Sequence, residues 1–108
     1  MQLQRRFSDQ QLEQIIEEAT IYMCACPGQV AVQLRSLREL FRYQGNCAVE
    51  PANVPDVHLA IAAATAEAYV VMEDCLERVL ELEGWDRTTL QMPEGLRRKR
   101  AEMLDLDP

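Results

Sequence analysis

Apolar residues recur along most of this chain in alternating steps of four and three, the spacing of one helical face. The first such series is Leu12, Ile16, Ala19, Met23 and Cys26. Ser8 followed by Gln11 resembles a capping box just before it. Pro27 biases the residue before it away from helical geometry, so a first helix is expected over about 8–25. Val30, Leu34, Leu37 and Phe41 form the next series, and Gly45-Asn46 is a stop signal, which gives a second helix over about 28–44. The segment from Cys47 to Pro55 contains two prolines, Pro51 and Pro55, and reads as a loop.

A third helix is expected from Pro55 to Glu83, started by Pro55-Asp56 and ended by Gly84. Two interleaved seven-residue series run through it: Ile61, Ala68, Cys75, Leu82 and His58, Thr65, Met72, Val79. Together they describe a seam, suited either to two neighbouring helices or to a second copy of the chain. Alanines at 60, 62, 63, 64 and 66 allow close approach of backbones. From Asp86 to Met92 there is little pattern, and Pro93 is read as the start of a short fourth helix over about 93–104. No strand-like alternation or internal repeat stands out. The expected fold is all-α: a single domain over residues 1–108, an up-down-up three-helix bundle with a short C-terminal helix, dimerising through the long third helix.

Composition adds bounds to this picture. The chain has 108 residues, 48% of them hydrophobic, which suffices for one core. Aromatic residues are only 6%, so the core is expected to be thin and a partner copy to add stability. A net charge of −7 argues against general affinity for nucleic acid or anionic membranes. The basic run Arg97-Arg98-Lys99-Arg100 lacks interleaved aromatic residues, so it reads as a solvated tail. The N-terminus has arginines without a following apolar run, and no segment suffices for a membrane span, so a soluble cytoplasmic protein is expected.

Cysteines stand at 24, 26, 47 and 75. Antiparallel second and third helices would bring Cys24, Cys26 and Cys75 to one end, and Cys47 and His58 to the other. Three thiols could hold zinc, with Glu73, Asp74 or water as a fourth ligand, or they could form a reversible disulfide switch. Against this, Cys24 and Cys26 point about 200° apart on a continuous helix, and Cys26 and Cys75 already fall on apolar series. A Cys47–His58 pair has no orienting third group, and no catalytic motif is present, so an enzyme is not expected. No cofactor other than zinc suggests itself.

Arg35, Arg38 and Arg42 occupy one stripe of the second helix. The expected role is ion pairing with Glu73, Glu77 and Glu81 of the third helix, within or between subunits; a clamp for an anionic or acidic partner is the alternative. The expected function is association, with itself or with another protein, through Ile61, Ala64, Ala68 and Met72 and the arginine stripe. A thiol-based metal or redox protein using Cys24, Cys26 and Cys75 is the competing reading.

Overall fold

Ser8 and Gln11 close the first helix start reciprocally. The Gln11 N–H donates to Ser8 Oγ at 3.0 Å, and the Ser8 N–H donates to Gln11 Oε1 at 2.8 Å. The computed structural model describes residues 2–21, 26–48, 54–96 and 102. They form three helices, α1 (Asp9–Ile21), α2 (Cys26–Ala48) and α3 (Pro55–Glu83), with no strand among the described residues.

Cross-links set the directions of the helices. Arg35 and Arg38 of α2 reach Glu13 and Asp9 of α1, while Ala19 packs 3.1 Å from the Cβ position of Gly28, so α1 and α2 are antiparallel. His58 at the start of α3 donates from Nδ1 to Gln44 Oε1 at 2.7 Å, while Cys26 and Met72 line one groove, so α3 runs back along α2. The up-down-up order follows.

Two boundaries differ from expectation. Cys26 and Pro27 open α2 instead of preceding it. Proline belongs in a first turn, where its missing N–H would have no intrahelical partner. Gly45 and Asn46 do not stop α2, which continues to Ala48. Glycine permits a left-handed stop but does not compel one, and Gly45 does not take a positive φ. Gly84 does: its φ of 76° ends α3, with its N–H donating to the Glu81 carbonyl at 3.1 Å. Of the fourth helix expected over 93–104, the described residues show helical geometry at 94–96 and at 102; the rest lies outside them.

The core joins Leu12, Ile15 and Ala19 of α1, Ala31 and Leu34 of α2, and Tyr69, Leu76 and Leu80 of α3. Each large side chain fully removed from water contributes about 1.5–3 kcal/mol. Two segments without helical periodicity complete it. Phe7, ahead of α1, is fully buried, and Trp85, Leu90 and Met92 join the same core from the segment after α3. This second segment, patternless in sequence, is a tight return. Asp86 accepts from the N–H groups of Thr88 and Thr89, and the N–H of Leu90, at φ 57°, donates to the Asp86 carbonyl.

Candidate functional site

The two series of α3 separate cleanly. Thr65 is buried and His58, Met72 and Val79 are half-buried, whereas Ile61, Ala68, Cys75 and Leu82 are exposed. The seam is therefore half inside the subunit and half outside it. The buried centre of α3 is Ala62, Thr65, Tyr69, Glu73, Leu76 and Leu80. Successive residues turn by 100°, so the exposed series continues as Val57, Ile61, Ala64, Ala68, Val71 and Cys75 on a neighbouring stripe.

Alongside this stripe lies a groove of about 420 Å³ between α2 and α3, lined by Leu37, Leu40, Ala60, Ile61, Ala64, Thr65 and Ala68. Thr65 is polar, but its hydroxyl donates to the Ile61 carbonyl at 2.7 Å. A second groove on the same helix pair is lined by Cys26, Gln29, Val30, Val32, Gln33 and Met72. Neither lining contains a charged residue, in a chain where charged residues are 27% of the total. Large apolar side chains are exposed on the same two helices: Val71 is 65% exposed, Tyr43 63%, Val57 52% and Leu40 40%.

The arginine stripe is not part of this surface, which corrects the expected pairing with α3. Arg38 is 2% exposed and donates through Nε (2.9 Å) and Nη2 (2.7 Å) to the hydroxyl oxygen of Tyr69, through Nη1 to Asp9 (2.5 Å), and through Nη2 to the Phe7 carbonyl. Its guanidinium also lies 5.6 Å from the Tyr69 ring centroid. Arg35 pairs with Glu13 at 2.8 Å, and Arg42 with Glu39 on its own helix at 2.8 Å. Glu73 instead meets Arg6, Glu77 meets Arg87, and Glu81 meets Arg78. The reason is which groups meet that face: α1 and the N-terminal segment supply the acceptors Glu13, Asp9 and the Phe7 carbonyl, and α3 reaches Arg38 through the Tyr69 hydroxyl rather than through a carboxylate.

Burial pushes the Tyr69 hydroxyl above its ordinary pKa, with the Arg38 hydrogen bond opposing. The Arg38 hydrogen bond holds the Asp9 carboxyl below the usual range. These residues are a structural lock between the N-terminal segment, α2 and α3.

Cys26 and Cys75 are exposed, not packed into the core as their apolar series suggested. Cys26 opens α2 and so does not continue the α1 series at all, and Cys75 belongs to the α3 series that faces outward. Cys24, the third thiol of the expected metal or redox site, lies outside the described residues, as does the basic run 97–100. Among the described residues, no group of three or more histidine, cysteine or carboxylate side chains is placed to hold a metal. At the other end of the bundle His58 pairs with Gln44, and a hydrogen bond with Cys47 raises the Tyr43 pKa. None of the helices among the described residues is long and apolar enough to cross a membrane.

Comparison with models of protein families, with curated proteins and with solved structures returned no match.

Two features were invisible to periodicity. Arg38 sits at a position that reads as surface charge, yet it is the most enclosed cation of the described residues. Phe7 precedes the first helix and belongs to no series, though an isolated phenylalanine beside arginines could have flagged a docking point.

Proposed function

We propose that this protein works by association, its copies meeting through the outer face of α3 and the adjoining part of α2. The observation that carries this reading is the uncharged groove lined by Leu40 and Ile61 among others, with Val57, Val71 and Tyr43 exposed on the same two helices. Contiguous apolar surface of this kind on a small domain marks an interaction site. Ile61, Ala64 and Ala68 carry the contact, and half-buried Met72 borders it. Arg35 and Arg42 lie outside it, and Arg38 has no role in it because its N–H groups are engaged within the subunit.

Light scattering at about 10 μM, far above the dissociation constant of a stable dimer, tests the reading. The wild-type chain is expected to have twice the monomer mass. Ala64→Arg, at an exposed position, is expected to give a monomer with an unchanged helical circular dichroism spectrum. A wild-type monomer at that concentration overturns the proposal.

A further inference from the structure

We propose that the pocket between the N-terminal segment and the C-terminal half of α2 binds a small phosphate monoester, with Arg5 and Arg42 as its charged contacts. The inference is independent of the association reading, because none of its residues lines the apolar groove.

The pocket holds about 440 Å³, within the range of small-molecule sites. Gln2, Leu3 and Arg5 line it from one side, and Arg38, Phe41, Arg42, Gly45 and Asn46 line it from α2. The Arg38 lock assembles it. By holding the Phe7 carbonyl, Arg38 sets the residues ahead of Phe7 beside the turn of α2 that follows it.

Three arginines line this pocket and, among the described residues, no carboxylate does, on a chain of net charge −7. Part of that positive charge is already met. Arg38 is balanced by Asp9, which acts on Arg5 and Arg42 only through space. Arg42 pairs with Glu39, but both side chains are more than half exposed, and such a pair exchanges readily. Arg5 has no hydrogen bond or ion pair among the described residues. Two exchangeable positive charges remain, which match the charge of about −1.5 to −2 on a phosphate monoester at neutral pH. A carboxylate would neutralise only one of them. The negative end of the α2 dipole, near Asn46, amounts to about half a charge and does not cancel two arginines. A guanidinium takes phosphate oxygens in pairs, and the Gln2 and Asn46 amides add uncharged donors. Leu3 and Phe41, both half-buried, offer the organic group an apolar wall.

Gly45 points the same way. Glycine inside a helix is unfavourable relative to alanine, and nothing lies within 4 Å of a Cβ added here. Packing within the subunit gives no reason for it, whereas a side chain there would narrow the pocket that Gly45 lines.

Amide NMR of the full chain, titrated with phenyl phosphate at low salt, tests the proposal. Saturable shifts are expected at residues 2–5 and 41–46, with a dissociation constant below about 1 mM. Arg5→Gln and Arg42→Gln are each expected to weaken binding about tenfold. Arg35→Gln, the same change of charge outside the pocket, is expected to change it less than about twofold. Gly45→Leu is expected to abolish binding and keep the helical circular dichroism spectrum. Inorganic phosphate should bind more weakly, since it forgoes Leu3 and Phe41; equal affinity would overturn the monoester. Phenylacetate binding as tightly as phenyl phosphate would overturn the choice of phosphate. Shifts that never saturate, or an Arg35→Gln loss equal to that of Arg5→Gln, would mean general attraction to the chain and overturn the site.

Discussion

Arg38 and Tyr69 face each other across the α2–α3 interface, the guanidinium giving two N–H groups to one phenol oxygen at 2.9 and 2.7 Å. Both side chains are buried, so neither can exchange its partner for water. The same guanidinium holds the Phe7 carbonyl and Asp9, which makes one cation the joint of three chain segments.

Tyr69→Phe keeps the ring and deletes the acceptor, leaving Arg38 short of a partner at a dry site. A loss of about 1–3 kcal/mol is expected in urea unfolding. Arg38→Ala also opens a cavity and takes the donor from the Phe7 carbonyl and from Asp9, so a loss of about 3–5 kcal/mol is expected. Equal, small effects of the two substitutions would contradict the lock.

Acid should weaken the fold through Asp9 and Asp86. Arg38 lowers the first pKa, and the backbone N–H groups of Thr89 and Thr88 lower the second. Folded-state values below the unfolded ones mean a contribution present above about pH 4 and lost as pH falls through the folded values. The urea midpoint should therefore drop between neutral pH and about pH 3, and less steeply in Asp9→Asn.

Two glycines should respond oppositely to alanine. Gly84 holds a φ of 76°, so Gly84→Ala is expected to cost about 1 kcal/mol. Gly45 lies inside α2 with nothing within 4 Å of an added Cβ, so Gly45→Ala is expected to stabilise by about 0.5–1 kcal/mol. Thermal unfolding of the two variants should show midpoints displaced in opposite directions.

Phe7→Ala should be as damaging as any core truncation, although Phe7 lies outside the helices. It is fully buried, and the Arg87 guanidinium sits 4.0 Å from its ring centroid. A loss of about 3–5 kcal/mol is expected by chemical denaturation. A loss below about 1 kcal/mol would mean that the N-terminal segment is not part of the core.

Salt should strengthen self-association. Two copies of net charge −7 repel across a contact that itself carries few charges. Raising ionic strength from about 0.01 to 0.15 M shortens the screening length from roughly 30 to 8 Å, and the dimer dissociation constant measured by sedimentation should fall. An interface held by intersubunit ion pairs would show the reverse.

Much of the fold was legible in the residues because its signals are local. The Ser8–Gln11 box, Pro55 and Gly84 act within one turn of themselves, and α3 begins and ends where they stand. Periodicity also found both series of α3, yet could not say which faced inward. That needs the positions of α1 and α2, which no residue of α3 encodes by itself. Arg38 was misread for the same reason. A cation reads as surface until Tyr69, Asp9 and the Phe7 carbonyl converge on it from sequence separations of 29 to 31 residues.

Taken alone, the order of amino acids determined three helices, most of their limits and an apolar surplus on α3, since helix formation and capping are short-range. Folding in three dimensions decided which stripe of α3 stays outside, that Arg38 is interior, and that Trp85, Leu90 and Met92 belong to the core. Burial depends on what else occupies the space around a side chain, and that is a property of the packed bundle.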